Sequence, residues 1–207
     1  MRGECIVKGK VRKIAASKQP YVVDRKIVGL VGYFKDVTDE LKEQEKLELL
    51  TMTDALTGLY NRRAFSEIVE KFMNQYKTDK TDFALLMIDI DKFKQINDLY
   101  GHDYGDIVLT KISHILKQVA SENSVVFRLG GDEFVILHQH KNEAELESIK
   151  FEILAELNRA NQMARVSITV QLSIGMAIYS DYGNLRDCLD AADKGMYAEK
   201  EQHKKEQ

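Results

Sequence analysis

The chain is poor in the residues that mark several broad classes of protein. One proline and twelve glycines among 207 residues exclude a collagen-like or low-complexity chain, while 44% hydrophobic and 30% charged residues supply a core of native size. Positive charge is not in excess: 30 Lys and Arg stand against 33 Asp and Glu, a formal net of −3. Without a global positive field a long polyanion is not held by counterion release, so neither DNA nor RNA is an expected partner. The two cysteines, Cys5 and Cys188, lie far apart and match no metal-ligand spacing, which leads us to expect two buried, reduced thiols. Long hydrophobic runs are also missing: Phe83 to Ile88 falls far short of the roughly 18 residues of a membrane span. The first residues lack the apolar stretch of a secretion signal. A cytoplasmic globular protein is expected, with one domain and an appendage at roughly 150 residues per domain.

Residues 1–37 read differently from the rest. Short β-rich stretches at Cys5–Val11 and Lys26–Phe34, interrupted by Lys18-Gln19-Pro20 and by Gly29 and Gly32, predict a ribbon of two or three strands, which is marginal alone. Asp36-Val37-Thr38-Asp39 suits an N-cap and precedes a charged helix with Leu41, Leu47, Leu49 and Leu50, a linker over residues 38–52 or a short coiled coil, with too few heptads to choose. From Thr53 onward helix and strand patterns alternate. Helical spacing covers Arg62–Tyr76, Asp106–Val119 (with Ile107 counted on its apolar stripe), Glu143–Leu157 and Leu185–Gln202. Asp82–Ile90 is a continuous apolar run, read as a central strand, and Val166–Ile178 alternates as a half-buried one. Between them, Val125–Leu129 and Phe134–Leu137 flank Gly130-Gly131-Asp132-Glu133 as a hairpin. The order β-α-β-β-α-β, with extra helices, predicts an α/β (α+β) domain with an antiparallel or mixed sheet and helices mainly on one face.

Two places put carboxylates where chemistry is the simplest reason. Asp89 and Asp91 end an apolar strand, and Asp132 and Glu133 sit at a hairpin tip behind two glycines that let a ligand approach the backbone. Adjacent strands would bring these acids together, and their mutual repulsion calls for a cation; oxygen-only ligands favour Mg²⁺ or Mn²⁺, which share their remaining positions with phosphates. The structural alternative is that Asp89 caps a following helix and Gly131-Asp132 is a turn. Asn97, His102 and Asp106 bracket the Gly101–Gly105 segment just before a helix. One carboxylate accepts the guanine N1–H and N2 amino group together, and adenine would leave it opposed, so Asp106 reads as a guanine acceptor with Asn97 in support. The alternatives are an N-cap for Asp106, a turn for Asn97 and a plain loop residue for His102. Lys94, Lys200 and Lys204 either neutralise phosphates or stand solvated on exposed helices.

Taken together these motifs resemble the GGDEF-domain diguanylate cyclases. Arg128-Leu129-Gly130-Gly131-Asp132-Glu133-Phe134 matches the motif that names the family. Three further stretches agree with the family in order and spacing: Asp54–Arg63, the run Asp89-Ile90-Asp91 through Asn97-Asp98 to Gly101-His102 and Gly105-Asp106, and Ala192-Asp193 with Met196-Tyr197 and Lys200. The likeness covers about residues 50–205, with the cyclase domain itself over 53–205, and implies a ferredoxin-like core shared with polymerase palms and nucleotidyl cyclases. It implies two GTP molecules condensed into cyclic di-GMP across a homodimer, with two pyrophosphates released. By resemblance, Asp89, the Ile90 carbonyl, Asp132 and Glu133 hold two Mg²⁺ (or Mn²⁺) per active site, and Asp132 is the general base. Asn97, His102 and Asp106 match substrate-binding positions. Gly130 and Gly131, in the hairpin turn, also match substrate-binding positions. Backbone N–H groups at Lys92 and Phe93, with Lys94, Lys200 and Lys204, match phosphate contacts.

Two departures qualify the resemblance. Ser121-Glu122-Asn123-Ser124 stands where many members carry an RxxD inhibitory site, so tight product inhibition there is not expected. Lys204 stands where arginine is common, keeping charge but losing a bidentate grip. Gly32–Thr38 resembles the closing strands of a PAS sensor domain, implying that most of an upstream sensor is missing; the alternative is a ribbon that packs on the cyclase or on a second chain. The competing function is a catalytically silent GTP-binding signalling module, and a third is an inert dimerisation domain.

Overall fold

The computed structural model describes residues 2–7, 10–41, 43, 51–139, 143–163 and 169–205. It divides into two compact units, Met1–Thr51 and Met52–Gln207.

The first unit is an antiparallel sheet of β1 (Arg2–Val7), β2 (Lys10–Val23) and β3 (Lys26–Asp36), in that order. Pro20 does not interrupt β2 as the sequence suggested. β1 pairs only with Lys10–Ala15, so Pro20 lies where β2 has β3 as its single neighbour, and an edge tolerates a residue without an N–H. Every residue of β3 is exposed, and so is Cys5, against the expectation of a buried thiol; a single sheet offers no second layer. Asp36 Oδ1 accepts from the Thr38 amide (3.0 Å) and hydroxyl (2.6 Å), fixing the chain's entry into a helical turn at 38–41. Leu41 is half-buried in that turn, whereas Leu47, Leu49 and Leu50 lie outside the described residues.

The second unit contains β4 (Tyr60–Asn61), α1 (Arg62–Asp79), β5 (Phe83–Ile90), α2 (Phe93–Tyr100), α3 (His102–Val119), β6 (Ser124–Gly130), β7 (Glu133–Gln139), α4 (Glu143–Gln162), β8 (Leu172–Ile178), α5 (Tyr179–Tyr182) and α6 (Leu185–Lys205). Five strands form one sheet in the order β4-β6-β7-β5-β8, antiparallel except for the short β4–β6 pair. It is a mixed α/β domain with a mainly antiparallel central sheet.

The run at β5 is apolar throughout because both its faces are covered. Ala84, Leu86, Ile88 and Ile90 meet Val108, Leu109, Ile112 and Leu116 of α3 and Leu146, Ile153 and Leu157 of α4. Phe83, Leu85 and Met87 meet Ala64, Phe65 and Val69 of α1 and Cys188, Ala192 and Met196 of α6. Helices therefore cover both faces, not mainly one: α1 and α6, which lie outside the β-α-β-β-α-β pattern, supply the second layer. Ile107 leaves the apolar stripe of α3 and is 60% exposed. The alternating segment before Leu172 is not part of β8 at 169–171, and residues 164–168 lie outside the described set. Among the described residues no helix is long and apolar enough to cross a membrane.

Candidate active site

The pairing register brings the two acidic motifs together. Asp89, one residue from the end of β5, pairs with Glu133 at the start of β7 on one side and with Ser173 of β8 on the other. The β6–β7 turn is Gly131-Asp132, where Gly130 (φ 146°) and Gly131 (φ 54°) hold backbone angles that side chains resist. A Cβ at either glycine would meet nothing within 4 Å, so the space over this turn is open. Asp89 and Asp91 are both buried, and neither caps the next helix: α2 starts behind Lys92, which adopts a left-handed conformation (φ 56°) and makes no side-chain cap.

α6 supplies a partner for each acid. Lys200 Nζ donates to Asp89 Oδ1 at 2.5 Å, and one turn on His203 Nδ1 lies 2.6 Å from Asp91 Oδ2. The buried Ser173 hydroxyl donates to Asp91 Oδ1 at 2.7 Å. Burial pushes the Asp89 carboxyl above its ordinary value; the Lys200 hydrogen bond opposes this, and the charges of Asp132 and Asp91 add to it. Demand for positive charge is thus built into this end of β5. The donor set is oxygen only, which fits a hard divalent cation. Among the described residues no three His, Cys, Asp or Glu side chains converge on one point, so ligands beyond the side chains would complete any coordination shell.

A cavity of about 310 Å³ adjoins the acids, lined by Asp91, Lys92, Phe93, Lys94, Gln95, Asp132, Gln171, Lys200, His203 and Lys204. Its floor includes the start of α2, whose first intrahelical bond to Lys92 O comes from the Gln95 amide; the amides of Phe93 and Lys94 precede it, as an anion site requires. Lys204 rests against Glu201 (2.6 Å) and over the Tyr197 ring (5.8 Å).

Asn97, His102 and Asp106 do not line this cavity. Gly101 (φ 84°) ends α2 and starts α3, so Asn97 is helical rather than in a turn, His102 opens α3, and Asp106 lies inside that helix rather than at its cap. His102 and Asp106 are exposed. Asn97 packs over Gly105: a Cβ there would sit 1.9 Å from Asn97 Oδ1 and 3.2 Å from Phe93 Cζ. Asn97 Oδ1 is buried and accepts no hydrogen bond from any of the described residues.

Several supporting residues had no role in the sequence reading. Arg128 donates to the Gly131 carbonyl through Nε (3.0 Å) and Nη2 (2.8 Å), and through Nη1 to Asp54 Oδ1 (2.9 Å), which also accepts from the Thr57 amide and hydroxyl. Arg62, placed by the Asn61 cap of α1, donates to Leu129 O (3.0 Å) and reaches Glu133 Oε2 (3.7 Å). The string Asp54–Arg63 was the signal; its partners lie some 70 residues away and leave no local trace. The same is true of Asp91 with His203 and Ser173.

Comparison with known proteins agrees with this layout. Residues 51–206 match the family described as diguanylate cyclase, GGDEF domain. Diguanylate cyclase DgcM of Escherichia coli (strain K12) is 37% identical over 169 residues, 80% of this chain and 40% of that protein. Cyclic di-GMP phosphodiesterase PdeR of the same strain is 32% identical over 167 residues, 80% of this chain and 25% of that protein. The chain thus spans less than half the length of either relative. The solved coiled coil and GGDEF domain of DgcB from Caulobacter crescentus, in complex with c-di-GMP, matches with a TM-score of 0.72 at 26% identity, over 79% of this chain and 88% of that one. Since the match runs through every element that frames the acids, and a solved member shares the fold, the chain belongs to the diguanylate cyclase GGDEF-domain family.

Proposed function

We propose that the chain condenses two GTP molecules into cyclic di-GMP, releasing two pyrophosphates, in a homodimer where each ribose 3′-OH attacks the opposite α-phosphate. The observation that carries this reading is the meeting, at one end of β5, of paired acids with a cavity lined by four lysines. Acids alone would repel a triphosphate, and lysines alone would accept any polyanion. Family membership supports the reading, as do a relative named as a diguanylate cyclase and a solved member holding c-di-GMP.

In this reading Asp106 accepts the guanine N1–H and N2 amino group, with Asn97 and His102 completing the nucleoside contacts, and a wrong base leaves that carboxylate opposed. The amides at Lys92 and Phe93 and the ammonium groups of Lys94, Lys200 and Lys204 hold the triphosphate. Gly130 and Gly131 leave room for the nucleotide over the turn, and Asp132 takes the 3′-OH proton. Asp89, the Ile90 carbonyl, Asp132 and Glu133 would hold Mg²⁺ or Mn²⁺, two per site. Bound there, the ions supply Lewis acidity at the attacking and leaving oxygens. Substrate and product place the reaction in the cytoplasm.

We also infer that residues 1–37 are the closing strands of a PAS-like sensor, 38–52 its linker and 53–205 the cyclase. The three-stranded antiparallel ribbon of β1, β2 and β3 supports this.

Incubating the purified chain with GTP and Mg²⁺ should yield cyclic di-GMP at a rate rising faster than linearly with enzyme concentration, and Asp132→Ala should abolish product without loss of fold. If the wild type binds GTP yet makes no product even when artificially dimerised, the chain is instead a GTP-binding signalling module.

A further inference from the structure

The C-terminal part of α6 carries a residue that neither the motifs nor the roles above use. His203 lines the lysine-rich cavity, and its Nδ1 lies 2.6 Å from Asp91 Oδ2. Asp91 is 7% exposed and forms part of the same lining. A bare carboxylate in that position would repel any anion entering among Lys92, Lys94, Lys200 and Lys204. Both its oxygens are covered instead, Oδ1 by the Ser173 hydroxyl and Oδ2 by the imidazole. A carboxylate oxygen opposite Nδ1 only accepts, so Nδ1 carries the hydrogen and Nε2 is the ring atom left for a ligand. The residues read as guanine contacts lie outside this lining, so on the nucleotide reading the cavity is left to the polyphosphate.

We propose that His203 is a triphosphate-contacting residue, held by Asp91 and Ser173 so that Nε2 serves a phosphate oxygen while its Nδ1 screens the Asp91 carboxylate from the substrate. The assignment rests on the GTP reading above and adds a donor to it. A phosphate oxygen accepts, so Nε2 faces it as a donor while Nδ1 faces the Asp91 carboxylate. Such charge-assisted contacts are the strong ones.

Two variants separate ligand contact from helix anchoring. His203→Asn keeps an N–H where Nδ1 stood, preserving the Asp91 contact, but has nothing in place of Nε2. His203→Gln keeps an N–H near Nε2. Affinity for GTP and for GMP, measured by calorimetry alongside thermal midpoints, is the readout. His203→Asn should keep the wild-type midpoint and GMP affinity and lose about tenfold in GTP affinity, the value of one charged hydrogen bond. His203→Gln should retain more of the preference for GTP than His203→Asn does. If His203→Asn binds GTP as the wild type does, or loses GTP and GMP equally, His203 only anchors α6 and the proposal is overturned. If the wild type itself fails to bind GTP, the underlying nucleotide reading fails and this assignment falls with it.

Discussion

Gly175→Ala tests whether the site depends on how closely α6 lies on β8. A Cβ at Gly175 would sit 1.9 Å from the Ala192 carbonyl oxygen and 2.2 Å from the Met196 amide nitrogen, both backbone atoms that no rotamer can move aside. Relief requires the strand and helix to part until the 1.9 Å gap reaches the 3.4 Å of ordinary contact, a shift of about 1.5 Å in a close-packed interior. The same helix places Lys200 2.5 Å from Asp89 and His203 2.6 Å from Asp91. A shift of that size carries both pairs beyond the roughly 3.2 Å limit of a hydrogen bond and strands two buried carboxylates. Overpacking costs about 1–3 kcal/mol, and the lost pairings add to it. The better strand propensity of alanine over glycine offsets only about 0.5–1 kcal/mol. We expect a net loss of about 2–3 kcal/mol in urea denaturation followed by helical circular dichroism, together with loss of GTP binding. Gly29→Ala in β3 is the control: no described atom lies within 4 Å of its Cβ, so only the propensity gain of about 0.5–1 kcal/mol acts there and stability should not fall. A Gly175→Ala protein as stable as that control and still binding GTP would refute the argument.

Two further predictions concern titration. Burial opposes ionisation of Asp54, yet the hydrogen bonds from Thr57 and the Arg128 guanidinium outweigh it and hold the carboxyl below its ordinary value of 3.8. Because the folded value is the lower one, this ion contributes stability that is fully present above about pH 3.8 and lost as the pH falls through the folded value. Asp54→Asn should flatten that part of the acid limb in unfolding free energies measured against pH; an unchanged slope would show that the Asp54–Arg128 bridge carries no linkage. Burial, with Asp82 and Asp181 nearby, pushes the Cys188 thiol up to about 12, whereas Cys5 is exposed. Thiol alkylation near neutral pH should therefore add one label to the native protein, at Cys5, and a second only in denaturant. Fast native labelling of Cys188 would contradict its burial.

What could be read from the sequence were features that repeat within one element. The unbroken apolar run at β5, the glycine pair between two short strands and the helical spacing of α1, α4 and α6 all carry their own period, and each forms. What escaped depends on what lies opposite. The second helical layer, the exposure of Cys5 and the tolerance of Pro20 follow from which faces and edges are covered, and neighbours in sequence do not encode that. The break between α2 and α3 escaped for another reason: Gly101 serves both helices, and a single glycine between two apolar stripes resembles a loop. The acid site shows both behaviours. Two aspartates at the exit of a strand buried on both faces announce a demand for positive charge, because buried carboxylates are not left unpaired. That demand was legible at Asp89 and Asp91. The partners of these acids, Lys200 and His203, sit 111 and 112 residues further on in a helix whose lysines read equally well as solvated. Helical geometry sets one partner a turn from the other, and the sheet sets the two acids two residues apart. Once the close backbone approach at Gly175 fixes the helix against the strand, both pairs form together, which is why a substitution beside neither acid is expected to disturb both.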